Sequence, residues 1–135
     1  MDLGNVYGFN VLVIILNTII ALIIALAAGK AHEVIHAMRA KQLGYKVNKI
    51  TLWKNETDIA IADDDPNVKS IAMAPYYVML PLGFILIVFG YYLLTIQSMF
   101  FLGIMIAGIA IVFLHLLSMK FEGKDLNETT FKKEE

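Results

Sequence analysis

The sequence predicts an all-α membrane protein, with three transmembrane helices and a small cytoplasmic β-hairpin between the first two. Three observations lead there. The chain is 59% hydrophobic with mean hydropathy +0.68, where a soluble domain has roughly 45–50% apolar residues. The excess is gathered into three runs, each near the ~20 helical residues that a ~30 Å hydrocarbon core requires. The basic residues, finally, fall only in alternate connecting segments.

The 135 residues read as one membrane-embedded domain with no internal repeat. The first run, "VLVIILNTIIALIIALAA", covers residues 11–28, and its span reaches about residue 29. The helix stays favourable beyond the span to about residue 43, and Gly44 is a good stop. The second span covers residues 71–94 and carries Pro75 and Pro81. Prolines are tolerated in membrane helices when neighbours satisfy the carbonyls they free. Tyr76, Tyr77, Tyr91 and Tyr92 lie near both its ends, as interfacial aromatics do. The third span covers residues 98–117, and the charged tail over residues 120–135 reads as flexible.

The segment at residues 45–62 reads as a hairpin. "YKVNKITLW" and "DIAIA" have β-branched and aromatic content and flank a "KNET" turn at residues 54–57. "DDDP" after it, with Asp63, Asp64 and Asp65, reads as a loop returning to the membrane.

Of the 11 Lys and Arg, seven lie between residues 30 and 69 and four between residues 120 and 133. With three spans these two segments share a side, and the positive-inside rule makes it cytoplasmic. The N-terminus is then outside and the C-terminus inside. Because no basic residue precedes the first apolar run, a cleavable signal peptide is not expected, and that run stays in the mature protein. The N-x-T sequons at Asn55 and Asn127 fall on the inner side and read as chance matches. A net charge of -1 gives no reason to expect a nucleic-acid partner. The absence of cysteine removes thiolate sites and disulfides, leaving His, Asp and Glu as metal ligands.

Chemistry concentrates in "GKAHEVIHAMRAKQLGY", residues 29–45. His32 and His36 are one helical turn apart, so both imidazoles can reach a single ion. Glu33 is turned about 100° from His32 and can face the ion's open side as a general base acting on water. This is the zincin H-E-x-x-H pattern, implying one Zn2+ and metalloendopeptidase chemistry. The bland alternative is a surface histidine pair at a helix end. Against it, the helix continues through "AMRAKQL", and polar groups at a membrane boundary are costly unless used.

Catalytic zinc usually takes a third protein ligand. The third span returns to the same side, where "LHLLSMKFEGKDLNE" offers His115, Glu122 and Asp125. The alternatives are a histidine bonded to a bundle carbonyl and two solvated tail carboxylates. Asn17 and Thr18 share roughly the face of His32 and read as interhelical hydrogen bonders.

"AHEVIHAMRAKQLGYKVNKITLW" resembles the segment after the zinc-binding helix of the intramembrane site-2 proteases, through Ala37, Arg39, Gly44, Val47, Ile50 and Leu52. The rest of the chain resembles a family of small prokaryotic membrane zincins of unknown function, with "AP" at Ala74 and Pro75 and a "G-D-L"-like element after the last span. The resemblance implies zinc on His32 and His36, Glu33 as the catalytic base, and Asp125 as third ligand ahead of His115 and Glu122. It implies intramembrane proteolysis in a prokaryotic cell membrane, on a membrane-bound or membrane-proximal peptide. Two departures stand: the site-2 protease "L-D-G" motif is absent, and Lys124 separates Gly123 from Asp125. The same resemblance suggests that the edge at residues 47–53 holds an extended substrate by strand addition. The rival readings are a non-catalytic zinc-binding adaptor and a subunit of a larger membrane complex. A homo-oligomer would help three spans shield a polar site.

Overall fold

The computed structural model describes residues 11–54 and 56–131, with side chains as far as Phe121. Three helices, α1 (Val11–Gln42), α2 (Val68–Thr95) and α3 (Phe101–Phe131), carry the fold. A two-stranded antiparallel sheet, β1 (Val47–Thr51) and β2 (Glu56–Ile59), is inserted between α1 and α2. All three helices are long and apolar enough to cross a membrane, the third over Phe101–Phe121. The helix of α3 continues into the charged tail as far as Phe131, beyond the apolar run read as its span.

The outward faces are apolar. Leu22, Ile23, Leu26, Phe84, Ile85, Val88 and Phe113 are each more than half exposed. In water such a surface would be an aggregation liability. Lipid tails match it, so they give the helices no hydrophobic reason to associate. Close backbone packing and interhelical hydrogen bonds must hold the bundle instead. Gly83 on α2 faces Gly108 on α3, where a Cβ at Gly108 would sit 2.7 Å from the Gly83 carbonyl oxygen. Only hydrogen fits at that crossing.

Asn17 joins α1 to α3. Its Nδ2 donates to the Met99 carbonyl at 2.8 Å, and to Val13 one turn back at 2.8 Å. Its Oδ1 accepts the Gly103 N–H at 2.6 Å. Gly103 is in the first turn of α3, where amides have no intrahelical acceptor. The buried Asn17 therefore caps a helix other than its own. Since α2 reverses the chain, α1 and α3 run parallel from this clasp. At 1.5 Å per residue, His32 lies about 22 Å further along α1 and His115 about 18 Å further along α3. The buried stripe of α3 is Gly103, Ala107, Ile111 and His115, four residues apart each time.

At the histidine end α1 is tied to the entry of α2. Gly44 takes φ +87°, as the residue closing a helix commonly does, and turns the chain into β1. Arg39 donates to Ser70 Oγ from Nη2 at 2.9 Å and Nε at 3.1 Å. The Tyr45 hydroxyl donates to Asp65 Oδ2 at 2.6 Å and accepts from Asn67 Nδ2 at 2.9 Å. The Tyr45 hydroxyl, followed by the Asn67 backbone N–H, holds the Asp65 carboxyl below the usual range, while Asp65 pushes the phenol up.

The hairpin forms where expected, with shifted boundaries. Ile50 pairs with Thr57 and Thr51 with Glu56, and a bulge lies between Val47 and Lys49. Glu56 and Thr57, expected in the turn, are strand residues; Leu52 and Trp53, expected in the strand, turn with Lys54. Packing decides this against propensity: α1 takes the Thr57 hydroxyl at Glu33, while Lys30 donates to the Leu52 carbonyl.

Replacing Asn17 with alanine should lower stability by about 1–2 kcal/mol, because it strands an amide and a carbonyl in an apolar bundle. Denaturant titration in micelles reads this directly. The Tyr45–Asp65 latch should be pH-dependent. Its carboxyl has a lower pKa folded than unfolded, so its contribution is complete above the unfolded value of about 3.9 and fades as pH falls through the folded one. The melting-temperature gap between wild type and Tyr45→Phe should persist at neutral pH and close in acid.

Candidate metal centre

His32, Glu33 and His36 come together as the pattern requires, with one potential ligand atom from each lying within 4.8 Å of the others. The two imidazole Nε2 atoms are 3.1 Å apart. Two bonds of about 2.0–2.1 Å meeting at a tetrahedral angle would place them about 3.3 Å apart. The pair therefore fits a single small ion.

A ring that binds through Nε2 must keep its proton on Nδ1. His36 Nδ1 lies 2.9 Å from the Ile71 carbonyl oxygen, which can only accept, so Nδ1–H donates and Nε2 keeps its lone pair. That carbonyl is available for a reason written in the sequence. Four residues on stands Pro75, which has no N–H to return to it. Pro75 thus frees an acceptor one helix away from the histidine that takes it. Such a bond to the far ring nitrogen fixes a ligand's orientation and raises its basicity.

His115 has the same proton arrangement, with Nδ1–H donating to the Ile111 carbonyl at 2.7 Å. It is buried, and its ring centroid is 5.1 Å from that of His32. Tyr76 of α2, also buried, packs edge-on against His32 at 5.4 Å and His115 at 6.0 Å. Three helices thus each send a ring into one cluster. The side chains of Asp125 and Glu122 lie outside the described residues. Along α3, residue 125 is about 15 Å beyond His115.

Glu33 is buried and held. The Thr57 hydroxyl lies 2.8 Å from Glu33 Oε2 and 3.1 Å from its carbonyl oxygen. Glu33 and His36 line a cleft of about 540 Å³ whose opposite wall is β2. All four β2 residues, Glu56, Thr57, Asp58 and Ile59, contribute to that wall. Successive strand residues face opposite ways, so a cleft touching all four runs along the strand's edge. The edge beside the glutamate is therefore that of β2, not the expected one at residues 47–53. β1 pairs with the other side of β2 and is displaced from the cleft by it. Asp63, read as a loop residue, also lines the cleft, whereas Asp65 serves the latch.

Sequence reasoning missed Thr57, placed in a turn, and the link from Pro75 to His36. The proline itself was the available signal for the second. Thr57 carried none, because only the hairpin's docking on α1 brings it to Glu33. No family model, curated protein or solved structure matches the chain.

Pro75→Ala should separate packing from ligand orientation. It restores an amide that competes for the Ile71 carbonyl and removes a helix-interior proline, which costs about 3 kcal/mol in a soluble helix. Melting temperature should hold or rise while affinity for an added divalent metal ion falls about tenfold. Isothermal titration and thermal unfolding of the same variant would measure both.

Proposed function

We propose that the chain is a membrane-embedded zinc metallopeptidase that hydrolyses a peptide bond of a membrane-bound or membrane-proximal substrate at the inner face of the bilayer. The observation that carries this reading is the pairing of His32 and His36 Nε2 at 3.1 Å with a buried glutamate opening on a strand-walled cleft. His32 and His36 hold the ion. His115 is the third ligand best supported among the described residues, since its Nε2 lone pair sits on the ring next to His32. Asp125 remains the ligand implied by resemblance. Bound zinc supplies Lewis acidity, bringing the pKa of water in its coordination sphere to about 7 and polarising a carbonyl.

Glu33 accepts a proton from the attacking water at its carboxylate and passes it to the leaving amine. Thr57 holds one carboxylate oxygen, leaving the other for that proton. The edge of β2 binds the substrate backbone as an added strand. A helical substrate must unwind locally first, because its carbonyls are already paired. Glu56, Asp58 and Asp63 make the cleft wall acidic, which favours a segment carrying Lys or Arg. The inner flanks of membrane proteins have that composition, and the positive-inside rule places this cleft on the same side.

Glu33→Gln should retain one zinc per chain and lose cleavage by at least about 10²-fold, whereas His36→Ala should lose the metal. Metal analysis, with cleavage of a reconstituted single-span peptide with a Lys-rich inner flank, reads both. Retained cleavage by Glu33→Gln sinks the peptidase assignment, and a metal-free wild type sinks the zinc site.

A further inference from the structure

The turn of the hairpin bears no part of the metal cluster, yet it carries the most exposed large apolar side chain among those described. Trp53 is 94% exposed, with Leu52 at 42% and Ile50 at 38% beside it. A two-stranded sheet is marginal in water, and one ending in bare indole gains nothing there. The hairpin does not stand away from the bundle, however. It lies along α1, with Thr57 at Glu33 and its tip reaching back toward the apolar part of the helix.

Lys30 fixes how far the tip reaches. Its Nζ donates to the Leu52 carbonyl and stands 5.9 Å from the centroid of the Trp53 ring. That separation is within cation–π range. Lys30 is two residues past the last residue of the apolar run, so the tip is level with the end of the hydrocarbon segment to within about 3 Å. On α2, Tyr77 is 76% exposed next to Tyr76, whose ring packs on His32 of the same helical level. An exposed indole, an exposed phenol and a lysine ammonium share one height on the molecule. Tryptophan and tyrosine gather at headgroup level, where an apolar ring meets a polar edge, and lysine extends its ammonium to the same layer.

We propose that the hairpin tip is a membrane anchor: Leu52 and Trp53 insert into the headgroup layer of the bilayer that the three helices cross, and Lys30 braces the tip there. Burying this edge in lipid sets the height of β2, and with it the cleft, against the membrane surface. The inference needs no metal and stands or falls apart from the peptidase reading.

Trp53 is the single tryptophan of the chain, so the intact protein carries its own probe. Full-length protein is reconstituted in phosphatidylcholine–phosphatidylglycerol vesicles, with and without lipids brominated near the headgroup end of the acyl chain. The expected result is emission to the blue of indole in water, protection from acrylamide, and loss of most of the emission to the shallow bromines. Water-like emission, open to acrylamide and indifferent to bromines, overturns the proposal. So does a blue-shifted emission that bromines leave unchanged, since protein rather than lipid then covers the ring. Replacing Leu52 with aspartate, which leaves the helices and the Trp53 probe intact, should shift the emission to the red. No shift for that variant also counts against insertion.

Discussion

A backbone amide or carbonyl in hydrocarbon has no water to turn to, and a partner must be found within the protein. At two of the places where the helical pattern fails to supply one, another helix does. At the start of α3 the Gly103 amide and the Met99 carbonyl four residues before it both turn to Asn17, and at Pro75 the Ile71 carbonyl has no amide a turn after it. Both gaps are filled by side chains of α1. Asn17 accepts from Gly103 and donates to Met99, and His36 donates to Ile71. These bonds lie toward opposite ends of the bundle, so α1 is pinned at two heights to two different helices. Its rotation and its depth are both fixed, as an H-E-x-x-H helix needs if two rings and a carboxylate are to keep their bearings.

The second pin combines packing with chemistry. A carbonyl that merely needed a donor would be served by serine or asparagine. Histidine serves it and gains in return a defined tautomer with a lone pair on Nε2. On α3 the progression along the buried stripe is similar. Gly103 permits the clasp with Asn17, Ala107 and Ile111 fill the interior, and His115 adds a ring at the level of His32. The four-residue spacing that makes α3 pack also makes it deliver an imidazole. The glycine crossing at Gly83 and Gly108 brings α2 near enough for Tyr76 to close the cluster from the third side.

Much of this was legible in the chain, and the division follows range. Helices, hairpin and H-E-x-x-H rest on local spacing, which a sequence carries openly. Asn17 was legible as an interhelical bonder, because an amide within an apolar run must find a partner. His115 was legible as a candidate through topology, since the third span ends on the same side as the first. The strand that lines the cleft was not legible. Choosing between the edges of a two-stranded sheet requires knowing which strand lines the cleft beside Glu33, and only the folded chain brings Thr57 there. The turn was misplaced for a related reason. Leu52 and Trp53 have strand propensity, but a contact with Lys30, far away in sequence, takes precedence over propensity.

The hairpin then has two constraints that act together. Its inner strand is held to α1 by Thr57, at the carboxylate that would move the proton. Its tip is held to α1 by Lys30, at the height where the apolar run ends. A strand fixed at both points has no freedom to slide along α1, so the height of the cleft wall relative to Glu33 is fixed, while the rise of α1 sets the height of Glu33 above the end of the apolar run. On the proposed reading, this makes the cleft select by depth as well as by charge. A peptide bond reaches Glu33 only if it lies about one helical turn outside the hydrocarbon edge, which is where an unwound flank first becomes available to water.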